Sequence, residues 1–308
     1  MLVVKYKHWF FAFSLIVVIL AALSFFGWGL KFGIEYTGGT IAEYTFQSGA
    51  PSVDVLKQEL APLNLGEQIQ PVGSAATNDQ GVVIRTRFLS EDDHVALKNA
   101  ISNNGATKFT EKSFDAVGPV IGQELKNKAI WALILVIICI VIFIAFAFRK
   151  VSEPVASWKY GVVAIIALVH DIIVPAGAFG LMVHFGSAEI DILFTTALLA
   201  ILGLSINDTI VVFDRIRENL RHRFSNKETF EYTVGKSLSQ TYLRSFNTSF
   251  TVILALLALF LFGGDTTRYF SLTLLVGMAA GTYSSIFLAA PLLIVLNDWQ
   301  NRKKVSKK

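Results

Sequence analysis

Three ionisable side chains stand where the chain is otherwise apolar. Asp208 follows Asn207 in the stretch SINDTIVVFDRIREN, Asp171 follows His170 in AIIALVHDIIV, and Arg244 lies in SQTYLRSFNTSFT. A carboxylate in the middle of a membrane helix costs about 2.5–3.5 kcal/mol on insertion scales, so such a group faces a protein partner or a water-filled cavity. A buried carboxylate of this kind can bind and release a cation, and a nearby guanidinium can compete for it. That is the chemistry of an ion relay, and Asp208, Arg244, Asn207 and Asp171 are its candidate residues. The plainer readings stand beside it. Either acid could be hydrogen-bonded across two helices, with Asn207 and Thr209 available to Asp208, and Arg244 could be a basic anchor that snorkels to the headgroups. His170 reads as an interhelical polar group rather than a proton carrier, and Asp171 is expected nearer a helix end.

Helical spacing says which faces these acids share. Ala164, Ala167 and Asp171 fall on one face, and Ala197, Ile201, Leu204 and Asp208 on another. The small residues on these faces let helices approach, so both acids are expected to point into a bundle. GMAAGTYSSIFLAAP carries Gly277, Gly281 and Ser284 on one stripe, which predicts tight helix packing, and Pro291 is placed to kink the end.

The bulk composition agrees with a membrane protein. Of 308 residues, 53% are hydrophobic and 16% charged, too apolar for a soluble domain of this length. The single cysteine, Cys139, lies in an apolar run and reads as filler. No Cys/His cluster suggests a metal site, and no phosphate-binding loop is present, so neither a cofactor nor enzymatic catalysis is expected.

Six apolar spans are expected at 9–29, 129–148, 160–183, 191–213, 246–263 and 269–296, each near the ~20 residues a helix needs to cross the hydrocarbon. The first is too long in its apolar core for a cleaved signal and reads as a retained anchor. Basic residues cluster in the N-terminus (Lys5, Lys7), the 149–159 link, the 214–245 loop and the 297–308 tail, whereas the opposite short loops hold only Arg268. The positive-inside rule therefore places both termini in the cytoplasm. The net charge of +4 follows from this topology and does not indicate a nucleic-acid partner.

The expected domains are 1–30 (N-terminus and first span), 31–128 (an outer, periplasmic domain), 129–296 (a five-helix bundle) and 297–308 (a basic tail). Within 31–128 the pattern reads β-α-β-β-α-β. TIAEYTF alternates as a strand, Ser52 caps a helix, GVVIRTRF is a strand, and Ser90 with Asp93 opens a second helix that stops at Gly105. That order is the ferredoxin-like split βαβ arrangement. Gly38–Gly39 read as a turn, and His94 and Asp93 as solvated side chains at a helix start. The fold class is thus a polytopic α-helical membrane protein with one α+β ferredoxin-like domain between its first and second spans.

Five ordered stretches carry a resemblance: FGIEYTGGT (32–40), AIIALVHDIIV (164–174), SINDTIVVFDRIREN (205–219), TYLRSFNTS (241–249) and GTYSSIFLAAP (281–291). Together they resemble the SecD/SecF family of protein-export membrane subunits, related to the RND superfamily, and its SecF members in particular. Glu35 stands where the family usually has Asp, Ser245 where it has Thr, and Leu204 where it often has Tyr. The resemblance implies a subunit of the inner membrane that pairs with SecD and associates with the SecYEG channel and YajC. It implies help to preproteins after SecA-driven steps, using a proton or sodium gradient. The family's intramembrane acid and arginine match Asp208 and Arg244. Two other readings stay open: an RND-type small-molecule exporter subunit, and a passive scaffold for the channel.

Overall fold

A computed structural model of the chain describes residues 2–28, 31–46, 50–72, 80–102, 107–148, 156–186, 188–226 and 228–305. In chain order the elements are α1 (Leu2–Lys5), α2 (Lys7–Gly27), α3 (Ile34–Thr37), β1 (Gly39–Phe46), α4 (Val53–Leu60), β2 (Gln68–Val72), β3 (Gln80–Thr86), α5 (Glu91–Ile101), β4 (Phe109–Val117), α6 (Pro119–Ala147), α7 (Ser157–Phe185), α8 (Ile192–Asn226), α9 (Phe230–Phe262), α10 (Asp265–Tyr283) and α11 (Ala290–Val305). A π-helical turn, Ser284–Ala289, joins α10 to α11. The chain divides into two compact units, Phe32–Ile130 and Met1–Lys31 with Trp131–Lys308.

The smaller unit is built on a four-stranded sheet in the order β2-β3-β1-β4. β1 pairs antiparallel with both β3 and β4, and β2 antiparallel with β3. Alternation puts Ala42, Tyr44, Val82 and Ile84 on one face, where they meet Leu56 and Leu60 of α4 and Leu97 and Ile101 of α5 in one buried cluster. Ser52 caps α4 by accepting from the Val55 amide at 3.4 Å, and Ser90 with Asp93 forms a reciprocal capping box on α5. The expected stop at Gly105 lies outside the described residues. Gly38 and Gly39 adopt φ of 76° and 141°, a conformation only glycine holds without strain.

One expectation fails here. His94 is buried rather than solvated: its Nε2 lies 2.9 Å from Glu111 Oε1, and its ring stacks on Phe114 at 3.7 Å. The capping box turns Asp93 outward and, one residue on, aims the imidazole down at β4.

Among the described residues six helices are long and apolar enough to cross a membrane. Several outrun their apolar cores. α8 continues to Asn226 and α9 begins at Phe230, so most of the expected 214–245 loop is helical. Ion pairs at i, i+3 support the extension: Asp214–Arg217 at 2.7 Å and Arg215–Glu218 at 2.5 Å. α2 packs on α7 through glycine, because a Cβ on Gly177 would lie 2.3 Å from Ala21 Cα. Ser24 donates to the Gly177 carbonyl at 2.7 Å. Lys159 is buried at the start of α7, and its ammonium reaches the Leu296 carbonyl at 3.0 Å and Gln300 Oε1 at 2.5 Å between the rings of Trp158 and Trp299.

Candidate functional site

The site is a polar layer halfway along the apolar helices. α7 supplies His170 and Asp171, α8 supplies Ser205 and Asp208, α9 supplies Ser249, and the α10–α11 junction supplies Thr282 and Ser284. α8 and α10 can bring these groups together because glycine lines their contact: a Cβ on Gly277 would lie 2.2 Å from Ile201 Cδ1, and one on Gly281 3.0 Å from Ser205 Cβ. The π-turn follows at once. Such turns occur mostly as single insertions inside α-helices, often at functional sites. Here the turn begins at Ser284, whose hydroxyl it presents to Asp171.

Asp171 is wholly buried, and α7 runs from Ser157 to Phe185, so the acid sits mid-helix, not near an end as expected. His170 Nδ1 lies 2.8 Å from Oδ1, while Ser284 at 2.7 Å and Ser205 both donate to Oδ2. Pro175 stands four residues later inside the helix. Having no N–H, it leaves the Asp171 backbone carbonyl without its usual i+4 donor.

Asp208 is also buried, at 2% exposure, but its surroundings differ. Among the described residues its one hydrogen-bonding neighbour is Ser249 Oγ, 3.2 Å from Oδ2. That hydroxyl lies 2.9 Å from the Ser245 carbonyl as well, so a single proton serves two acceptors, and Thr282 donates to Ser249 at 2.6 Å. Ser245 Oγ, buried one turn earlier on α9, has no hydrogen-bond partner among the described residues. A crevice of about 260 Å³ reaches this layer between α9 and the α10–α11 junction. Phe246, Phe250 and Phe287 line it, and it touches Ser249 and Thr282.

The other two candidates lie elsewhere. Asn207 points away from the bundle, although it adjoins Asp208 in sequence. Arg244 is exposed and makes no ion pair among the described residues. On α9 the buried stripe runs Thr233, Ser237, Thr241, Ser245, Ser249, and Arg244 precedes that stripe by about 100° of helix rotation. The expected Asp208–Arg244 contact is therefore not made in this conformation. On α8, Leu204 faces out and Ser205 takes the inward position assigned to it. Sequence reasoning gave no chemical role to Ser205, Ser249, Thr282 or Ser284. Thr282 and Ser249 also lie within reach of the carbonyl four residues back in their own helices. A hydroxyl satisfied that way is tolerated in lipid at any position, so its presence alone marks nothing.

Residues 96–299 match the family described as protein export membrane protein SecD/SecF, C-terminal. A protein translocase subunit SecF from Thermobaculum terrenum is 41% identical over 97% of this chain and 94% of its own length. The chain belongs to the SecF family. The SecF of Pseudomonas aeruginosa is 36% identical over 93% of this chain and 88% of its own. Among solved structures, SecDF from Thermus thermophilus, described as a translocon-associated membrane protein, superposes with a TM-score of 0.77 at 31% identity over 97% of this chain. A SecDF structure in a super-membrane-facing form gives 0.67 at 30% identity. This SecF-family chain spans only 38–39% of those two solved chains. It is a multi-pass membrane protein.

Proposed function

We propose that this chain is an auxiliary subunit of the Sec protein translocase that works with SecD and uses a proton or sodium gradient to promote preprotein translocation and release. Membership of the SecF family supports the assignment to the translocase. The solved relatives support the pairing with SecD, since their names join the two and this chain accounts for less than half of their length. By the same reading the complex sits in the inner membrane beside SecYEG and YajC, acts on preproteins delivered by SecA, and has both termini in the cytoplasm. Residues 31–128 are its periplasmic domain, 129–296 its main helix bundle and 297–308 its basic tail. The sheet order β2-β3-β1-β4 with two helices on one face supports a ferredoxin-like assignment for the outer domain.

The observation that carries the coupling reading is Asp208, a buried acid in mid-span with a share in one hydroxyl as its hydrogen-bonding partner. A bare carboxylate in that setting is expensive, and binding a cation removes the cost. Loading and unloading Asp208 thus changes the packing preferred by α8, α9 and α10, and the outer domain follows. Arg244 and Asn207, on outward faces of α9 and α8, meet SecD, and Arg244 pairs with Asp208 in a second arrangement of the helices. The drive suffices for such a change: one charge crossing 100 mV contributes about 2.3 kcal/mol, and each unit of pH difference about 1.4 kcal/mol.

The test is preprotein release from spheroplasts and inverted vesicles, with and without an ion gradient. Asp208→Asn should abolish the gradient-dependent part while the SecD complex still assembles. Undiminished stimulation by that variant would overturn the relay and favour a passive scaffold.

A further inference from the structure

The charge balance of the polar layer is incomplete. Two buried carboxylates, Asp171 and Asp208, belong to one polar layer, linked on α8 by Ser205, which donates to Asp171 three residues before Asp208. Among the described residues neither forms an ion pair with Lys or Arg; the one ionisable partner in contact is His170, 2.8 Å from Asp171 and 5% exposed. The elements packed on α7 are α2, α8, α10, the 284–289 turn and α11. Between its first residues, Lys7 and His8, and its end, α2 has no ionisable group. α8 faces the pair with Asp208, while its remaining charges begin at Asp214. α10 contributes Tyr283, whose ring lies 6.1 Å from that of His170 and whose hydroxyl donates to the Phe10 carbonyl at 3.1 Å. The charges of α11 begin at Asp298.

Asp171 is the more heavily hydrogen-bonded of the two acids. Both its oxygens are engaged, by an imidazole nitrogen on one side and two hydroxyls on the other. Ser205 and Ser284 donate to Oδ2, and His170 Nδ1 stands at Oδ1, where it donates when the ring carries its proton on that nitrogen. An anion so enclosed needs a cation beside it.

We propose that His170 and Asp171 form a second proton-binding site, with the proton carried on the imidazole and its occupancy coupled through charge to Asp208. His170 takes a proton from water at its second ring nitrogen while Nδ1–H stays on Asp171, giving an imidazolium–carboxylate pair of no net charge. Ser205 and Asp208 are three residues apart on α8, so the pair and Asp208 share one layer. Ionisation of Asp208 strengthens proton binding at His170, and by reciprocity a loaded His170 favours ionised Asp208. The bundle therefore holds two interacting proton sites, one permanently hydrogen-bonded and one exchangeable. This deepens the Asp208 reading and rests on it for its role in export, but the protonation state of His170 is measurable without export.

The experiment is nitrogen NMR of ¹⁵N-histidine-labelled chain, reconstituted with its partner in nanodiscs, with the His170 signal assigned by its loss in His170→Asn. Both ring nitrogens should carry protons near neutral pH. The imidazolium fraction should fall several-fold in Asp171→Asn, and by a smaller factor at the same pH in Asp208→Asn. A ring with one bare nitrogen throughout about pH 5–8 would overturn the site, and it is read on the wild-type chain, so no folding defect can obscure it. An imidazolium fraction unaltered in Asp208→Asn would overturn the coupling. Failure of Asp208→Asn to impair export would instead remove the relay and leave the imidazolium standing.

Discussion

The two buried acids of the bundle have the same side chain, the same depth and opposite surroundings. Asp171 is held by an imidazole and two serines contributed by α7, α8 and the π-turn. Asp208 shares one serine proton with a backbone carbonyl. Burial alone therefore does not make a group exchangeable. A carboxylate whose lone pairs are filled by fixed donors is a structural anion, and moving a cation onto it would break bonds already made. One with few donors gains most from a cation and loses least by giving up its present contacts. The number of donors, not the depth, separates the two roles.

The sharpest way to break this comparison is to truncate each acid and measure stability by unfolding in mixed micelles. Asp171→Ala strands His170 on α7 and Ser205 on α8, while Ser284 retains the Gly281 carbonyl at 3.1 Å, and should cost about 2–4 kcal/mol, from one or two unmet donors at about 1–3 kcal/mol each. Asp208→Ala should cost about 1 kcal/mol or less, because Ser249 retains the Ser245 carbonyl. In export the order should reverse, with Asp208→Ala losing the gradient response entirely. Equal losses of stability would end the distinction.

A smaller effect comes from the contact that delivers Ser205 to Asp171. Gly277→Val places a branched side chain where even a Cβ meets Ile201 at 2.2 Å; overpacking of this kind costs about 1–3 kcal/mol. Gly281→Ala is milder. It presses on Ser205 Cβ from 3.0 Å and should loosen the grip on Asp171 without touching Asp208. Gly203→Ala is the control, since nothing lies within 4 Å of its added carbon, and helix propensity should raise stability by up to about 1 kcal/mol. The same micelle unfolding ranks all three. A Gly277→Val protein as stable as wild type would mean that α8 and α10 are not held at this distance.

The sequence makes the spans and the two acids legible because lipid imposes strong rules: long apolar runs and costly charges. Ala164, Ala167 and Asp171 are buried together, as 3.6-residue spacing predicts. Gly277 and Gly281 sit where small residues are needed. What the pattern did not reveal is which polar group serves which acid. Asn207, the nearest in sequence, faces away, and Ser249, 41 residues distant, makes the contact. Arg244 carries the right charge on an outward face in this conformation, and a single-residue offset on a helix decides that. The π-turn was also hidden. Pro291 signalled an irregularity near the end of the last span, but the register change precedes it, at Ser284–Ala289.

The weakest effect belongs to a third carboxylate, which tests donor count in water. Asp93 accepts from Arg87 at 3.1 and 3.4 Å and from the Ser90 amide at 3.3 Å. The Arg87 guanidinium first, and then the Ser90 N–H, hold its carboxyl below the usual carboxylate range. A folded-state value below the unfolded one, about 3.9, means that Asp93 contributes stability at every pH above that value and loses it as pH falls through the folded one. Amide exchange in α5 of the full chain should therefore be slower in wild type than in Asp93→Asn at neutral pH, with the ratio approaching one as the pH falls through the folded value. Because the side chain is solvated, the ratio should be small and should shrink with salt. A ratio that held constant through acid would mean that Asp93 acts through shape and not charge. Several donors would then not suffice to fix an anion in water, and the stronger claim for Asp171 would rest on burial alone.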